Sequence, residues 1–264
     1  MRARCDDPEL ARLLEHNFGQ LAALDPGPAA ADLDYALRRE AGGFVLERSH
    51  AEPLPARELG DLLYLLEKDV TVELQKLRRD LYFLHAAALA TRDAALLVVG
   101  RSGAGKSTLA WALSHHGFRY LSDELAPIDL DRLEVHAYPH ALCLKAAPPE
   151  PYALPPSTLA TAWTLHVPAS ELPGGVGEPA RLAAIFFLES DWSAPREPAL
   201  RPISAAEAGA RLLANALNPL AHVADGLDPA IAIAQRVRRF ELRSGSLERT
   251  CALVASTLAG GSAS

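Results

Sequence analysis

The residues with the clearest chemical purpose stand together at Gly100-Arg101-Ser102-Gly103-Ala104-Gly105-Lys106-Ser107-Thr108, directly after the apolar run Leu96-Leu97-Val98-Val99. Their spacing is G-x-x-x-x-G-K-[ST], a phosphate-binding loop with a strand expected before it and a helix after it. Each residue type has a task in that pattern. Glycines let the backbone curl until successive N–H groups point inward at an anion. A helix starting near Lys106 adds unpaired N–H groups and the positive end of its dipole. Lys106 is placed to reach β- and γ-phosphates, and the Ser107 hydroxyl to ligate Mg²⁺. Gly100, Ser102, Gly103, Ala104, Gly105, Lys106, Ser107 and Thr108 are the candidate nucleotide-binding set, and Arg101 has no assigned role. The alternative, a glycine-rich turn with a chance lysine, fits the composition poorly: only Lys68, Lys76, Lys106 and Lys145 are lysines among 26 basic residues.

Phosphoryl transfer also needs a group that positions or deprotonates the acceptor. Asp123 and Glu124 follow Arg119-Tyr120-Leu121-Ser122, 16 and 17 residues beyond Ser107. If the strand after the helix runs parallel beside the first, this pair falls next to the loop. One carboxylate then serves Mg²⁺ and the other serves as base; a solvated strand end or helix cap is the plainer alternative. His85 lies in an apolar strand pattern, where a histidine is more often a satisfied core residue. Lys145 ends a strand ahead of a proline-rich stretch, and Arg243 closes a basic run with Arg236, Arg238 and Arg239. By residue type alone both belong to a solvated face.

Periodicity supplies the elements that must hold these residues. Leu10, Leu13, Leu14, Phe18 and Leu21 give a helix over 8–24, ended by Asp25-Pro26-Gly27-Pro28. A hairpin over 34–48 turns at Gly42-Gly43, and Pro53 and Pro55 make a turn before a second helix over 56–78. Short strands then dominate: a single buried strand from Leu81 to Leu89, a turn at Thr91-Arg92-Asp93, and Ala95 to Val99. The loop helix runs from Lys106 to His115 and closes at Gly117, before a strand at 119–122 and two strand pieces around Pro139. Ala147 to Ser157 form a proline-rich surface loop, 163–167 a strand, and 172–179, with Gly174, Gly175 and Gly177, the most flexible stretch. Ala183 to Leu188 is a central strand. A helix over 204–216 starts at Ser204 with Glu207 at the capping-box position. A helix at 229–236, a strand at 239–243 and a helix at 246–258 end the chain. The pattern is α/β, divided into an N-terminal α+β lobe of residues 1–80 and a phosphate-loop domain of residues 81–264.

Composition narrows the partners. The 264 residues are 49% hydrophobic and 22% charged, with a net charge of −7 and no basic tail, which argues against nucleic acid. No run approaches a membrane span, and acidic residues precede the first apolar ones, the wrong order for a signal peptide. Cys5, Cys143 and Cys251 have no paired spacing, which suits a reducing cytoplasm and argues against disulfides or a zinc site.

Together, Leu84-His85-Ala86-Ala87-Ala88, the loop from Gly100 to Ser107, and Gly117-Phe118-Arg119-Tyr120-Leu121-Ser122-Asp123-Glu124 resemble the HPr serine kinase/phosphorylase superfamily. Pro139-His140-Ala141-Leu142-Cys143-Leu144-Lys145 and Phe240 to Leu247 resemble more closely the HPr-kinase-related proteins of bacterial peptide-modification gene clusters. The resemblance covers roughly residues 80–258. It implies a fold like that of phosphoenolpyruvate carboxykinase, in which a mixed sheet carries the loop. It implies ATP, Mg²⁺, and transfer to a serine hydroxyl of a protein or peptide, in an enzyme able to form a homo-oligomer. By position, Lys106 and Ser107 bind phosphate and metal, Asp123 shares the metal with Ser107, and either Asp123 or Glu124 activates the acceptor. His85 lies beside the γ-phosphate, and Lys145 and Arg243 face substrate. The family's usual Asp-Asp pair is Asp123-Glu124 here, and the arginine-glycine signature of HPr kinases is missing near Lys145, which leaves phosphorolysis and HPr itself without support. A small-molecule kinase and a nucleotide-gated binding protein are the alternatives.

Overall fold

Arg2–Cys5 (β1) and the helix Pro8–Phe18 (α1) open the chain. The computed structural model describes residues 1–22, 31–92, 94–189 and 197–260. The expected break at Asp25-Pro26-Gly27-Pro28 and the turn residue Asp93 lie outside the described residues. Helix α1 begins where the Asp7 carboxylate accepts the Glu9 amide at 2.7 Å and Pro8 fills the first turn. Its buried face is Leu10, Leu13 and Phe18. The expected hairpin forms as Asp34–Glu40 (β2) and Gly43–Arg48 (β3), and it is widened on both sides. β1 joins β2 in parallel, and Ala51–Ala56 (β4) joins β3. Pro53 and Pro55, expected to turn the chain, stand inside β4 instead. That strand is the sheet's edge, where a missing N–H removes no ladder bond. Leu59–Leu77 (α2) then buries Leu62, Leu63, Leu66 and Val70 and packs on β3 and β4.

Leu81–Leu84 (β5) and Ala86–Ala90 (β6) replace the single strand expected over 81–89. Ala95–Val99 (β7), Lys106–His115 (α3), Arg119–Ser122 (β8), Ala126–Asp129 (β9) and Glu134–Val135 (β10) follow. Leu142–Leu144 (β11), Leu159–Ala160 (β12) and Leu165–Val167 (β13) make a small antiparallel sheet of their own. Ala180–Glu189 (β14), Ala199–Pro202 (β15), Ala205–Leu213 (α4), Leu227–Arg236 (α5), Arg238–Arg243 (β16) and Leu247–Ala259 (α6) complete the chain. The main sheet runs β5-β9-β10-β14-β7-β6-β8, with β16 also beside β14 and β15 outside it. β7, β14 and β16 are parallel and every other pairing in this sheet is antiparallel. The architecture is therefore mixed α/β. The break at His85 arises because β5 pairs with β9 while β6 pairs with β7 and β8; the His85 amide donates to the Asn215 carbonyl at 2.8 Å between them.

Strand alternation splits the core into layers. Leu96 and Val98 of β7 face one side with α3 and α6, and Leu97 and Val99 face the other with α4 and α5. Such double burial explains why β7 and β14 are almost continuously apolar. β14 is central, as its Ala183 to Leu188 run implied. Helix α4 starts at Ser204, whose hydroxyl accepts the Glu207 amide at 3.1 Å. The Glu207 carboxylate binds Arg211 and Arg201 rather than closing a capping box. The basic run is no bare solvated face either: Arg236, Arg238 and Arg239 donate to the carbonyls of Leu130, Thr257 and Ala234.

The glycine stretch at 172–179, expected to be the most flexible, is stitched to β8. Tyr120 donates to Gly175 O and Gly177 donates to Tyr120 O, both at 2.9 Å. Gly174 is there for close approach, since a Cβ would lie 1.9 Å from the Phe118 carbonyl oxygen. Gly174→Ala is expected to destabilise the protein by about 2 kcal/mol or more, because backbone rather than a flexible side chain must move. Thermal unfolding checks this as a fall in Tm of several degrees. Among the described residues, no helix is long and apolar enough to cross a membrane.

Candidate functional site

Three strand ends meet at one edge of the main sheet. β7 and β8 point the same way with β6 between them, so the expected neighbour of β7 is one strand further out. Pairing of Ala86 with Val99 and of Ala88 with Ser122 sets the register. It carries His85, the loop after Val99, and the Asp123-Glu124 pair to the same edge. The loop turns into α3 through Gly103 at φ +81° and Gly105 at φ +94°, values a side chain would strain. Lys106 is buried, and its ammonium donates to the carbonyls of Gly100 at 2.9 Å and Arg101 at 3.4 Å. Burial lowers its pKa, against the opposing pull of Asp123 and Glu124.

Asp123 is wholly buried, and burial with the nearby Glu124 pushes its pKa up to about 7. Neither carboxylate oxygen makes a full hydrogen bond, although the Ser107 hydroxyl, Lys106 and the Cys143 amide lie close enough to favour its charged form. Glu124 is exposed and held at φ +65°, with Leu125 N donating back to Asp123 O at 2.9 Å across it. A left-handed non-glycine conformation of this kind costs about 1–2 kcal/mol and concentrates at functional positions. His85 is half-buried; burial and Lys106 lower its pKa, with Glu124 opposing and Lys145 adding to the fall. Lys145, directly after β11, is exposed as expected, and its ammonium reaches the loop by donating to the Ser102 hydroxyl at 2.8 Å. Arg243 closes β16, two strands from β7, and does not line the cleft described next.

The loop opens into a cleft of about 740 Å³. Ser102, Lys106, Ser107, Thr108 and Glu124 form one side, and α2 faces them with Tyr64 and Glu67. Tyr64 and Trp163 stand exposed at the rim. Burial, followed by the charge of Glu124, raises Glu67 to about 8. Cys143 and His166 line the floor. Burial drives the Cys143 thiol well up and His166 down to about 4, with His140 and His16 adding to the latter shift. Sequence reasoning passed over Glu67, and singled out neither His166 nor His140 as a site residue. Glu67 left one trace, a charged residue at helical spacing from Leu63 and Val70 on an otherwise apolar stripe.

No protein-family model matches the chain. No curated protein matches it. Among solved structures it is similar to the Hpr(Ser) kinase/phosphatase from Coxiella burnetii, at 14% identity and a TM-score of 0.38, over 67% of this chain and 88% of that one.

Proposed function

We propose that this protein is an ATP-dependent kinase that moves the γ-phosphate of ATP to a serine, or threonine, hydroxyl of a small protein or peptide. The supporting observation is the buried, unpartnered Asp123 carboxylate beside Ser107, at the sheet edge that also carries the phosphate loop. Two orphan carboxylate oxygens and a hydroxyl are hard donors and fit Mg²⁺, so Asp123 and Ser107 are the residues to hold it. When bound, Mg²⁺ supplies charge neutralisation for the phosphate oxygens. The N–H groups of Gly103 to Thr108 cradle the phosphates, and Lys106 and Lys145 add positive charge. Glu124 lines the cleft where Asp123 does not, which makes Glu124 the base. It takes the acceptor hydroxyl proton as that oxygen bonds to the γ-phosphorus and the bond to the β-phosphate oxygen breaks. His85 keeps its place beside the γ-phosphate, and Arg243 is left without a role. Tyr64 and Trp163 offer an aromatic rim for a peptide.

On this reading residues 1–80 are a lobe that supplies the α2 wall to a kinase domain of residues 81–264, of the phosphoenolpyruvate-carboxykinase-like kind. The finer resemblance, to HPr-kinase-related proteins of bacterial peptide-modification clusters, points to a peptide acceptor, a cytoplasmic setting and a homo-oligomer. Incubation with ATP, Mg²⁺ and serine-containing peptides encoded beside the gene, read by mass spectrometry, tests the proposal. A phosphoserine product supports it; bound nucleotide without any phosphorylated product returns the chain to the nucleotide-gated binding class.

The strain at Glu124 supplies a second check. Glu124→Gly removes the carboxylate and the left-handed penalty together. It is expected to leave stability unchanged or raised by up to about 1 kcal/mol, while transfer falls about 10²-fold or more. Thermal unfolding and turnover measured on the same variant decide it, and a variant that is less stable yet fully active counts against the assignment.

A further inference from the structure

Behind the loop, four side chains of metal-binding type converge from α2, the segment before β11, β11 itself and β13. They are Glu67, His140, Cys143 and His166. The ligand atoms of Glu67, His140 and Cys143 all lie within 4.8 Å of one another. His166 Nδ1 lies 3.4 Å from Cys143 Sγ and 3.6 Å from Glu67 Oε1. Tetrahedral zinc, with bonds of about 2.0–2.3 Å, separates its ligand atoms by about 3.3–3.8 Å. Both His166 separations already fall in that range, and His140, within 4.8 Å of the Glu67 and Cys143 ligand atoms, must move inward to join them.

Hydrogen bonding sets the ring nitrogens for the same purpose. His140 Nε2 donates to the Asp123 carbonyl at 2.8 Å, so its Nδ1 carries the lone pair. That Nδ1 is buried and has no hydrogen-bond partner. His166 pairs through Nε2 with the Thr164 hydroxyl at 2.7 Å, and Thr164 in turn meets Thr161 at 3.0 Å. Each ring thus has its outer nitrogen anchored and its inner one turned into the cluster, unpartnered in His140 and paired with Cys143 Sγ in His166, the arrangement that orients histidine ligands in metal sites. Glu67 Oε1 is a second buried polar atom without a hydrogen-bond partner in the cluster.

We propose that Glu67, His140, Cys143 and His166 bind a divalent transition metal of the zinc class at the floor of the cleft. One thiolate, two imidazoles and one carboxylate select zinc over Mg²⁺, which takes oxygen. The site is separate from Ser107 and Asp123, and it stands whether or not the cleft transfers phosphate. Its ligands join α2 to the small sheet, and His140 links it to the backbone of Asp123. The cysteine spacing pointed away from zinc because the other ligands are not cysteines and lie on distant segments.

The test uses the full chain, stripped of metal and titrated with Zn²⁺ or Co²⁺. One equivalent of Co²⁺ is expected to give the intense visible bands of a tetrahedral site and a thiolate charge-transfer band, and excess Zn²⁺ to raise Tm. Cys143→Ser is expected to remove the charge-transfer band and weaken Zn²⁺ affinity at least about tenfold, and Glu67→Gln to weaken it while keeping the band. Cys5→Ser with Cys251→Ser is expected to change nothing. Circular dichroism of the metal-free variants confirms their folding, and if Cys143→Ser does not fold, Glu67→Gln and the cysteine pair carry the test. The proposal is overturned if the wild type binds no Zn²⁺, or if the charge-transfer band is lost in the Cys5/Cys251 variant. It is likewise overturned if folded Cys143→Ser or folded Glu67→Gln binds Zn²⁺ as tightly as the wild type.

Discussion

Replacing Lys106 with alanine is expected to reduce phosphoryl transfer by about 10³-fold or more and to weaken nucleotide binding together with it. The ammonium is buried under the loop and at present satisfies the Gly100 and Arg101 carbonyls. Those bonds place the charge within the curl of the backbone, ready to exchange carbonyl partners for phosphate oxygens. Alanine also strands two carbonyls and leaves a small void, so a loss of activity could come from the loop's shape. Lys106→Met takes the void out of the comparison: it keeps most of the stem volume and removes the ammonium with its charge and hydrogen bonds. Both variants are expected to fail in transfer of labelled γ-phosphate. A Lys106→Met protein that transfers at the wild-type rate contradicts the role.

Asp123→Asn is expected to abolish transfer, by about 10³-fold or more, while nucleotide affinity stays within a few-fold of wild type. The loop amides and Lys106 still hold the phosphates, and only the metal-facing charge is gone. Stability is expected to move the other way. Burial raises the folded pKa of Asp123 from 3.8 to about 7, so between those values the folded protein holds a proton that the unfolded chain has lost. Stability therefore falls as pH rises through that window, by up to roughly 4 kcal/mol at the upper end. Below pH ~4 both states are protonated and the penalty vanishes. In chelator-treated protein, Asp123→Asn should match the wild type at low pH and exceed it increasingly towards neutrality. Denaturant unfolding across pH 4 to 8 checks this. A variant that loses both stability and activity at neutral pH would mark Asp123 as a structural residue.

The parts of this site that were legible before the structure are those written in consecutive residues. Gly100 to Ser107 carries its own turn geometry and helix start, and Asp123-Glu124 follows from it by one helix and one strand. His85 was visible as a position but not as a strand break. Leu81 to Leu89 is apolar throughout, and only the choice of β9 for one half and β7 and β8 for the other divides it. Lys145 read as ordinary surface because its contact with Ser102 spans 43 residues of chain. Prolines in β4 and glycines against Phe118 misled for one reason. Turn-forming residues also serve at sheet edges and close backbone contacts, and the local sequence is the same in both uses. Glu67, His140 and His166 come from separate elements, and no spacing rule links them. Arg243 sits at the same edge of the sheet as the loop, two strands along from β7, and does not line the cleft.

The most direct measurement of the central claim is transfer of γ-labelled phosphate from ATP to a serine peptide, by wild type and Asp123→Asn, at matched nucleotide occupancy with Mg²⁺ present. The result expected is phosphopeptide from the wild type and none from Asp123→Asn, with the same fraction of each protein bound to nucleotide. Full transfer by Asp123→Asn, or a wild-type chain that binds no nucleotide at all, contradicts it.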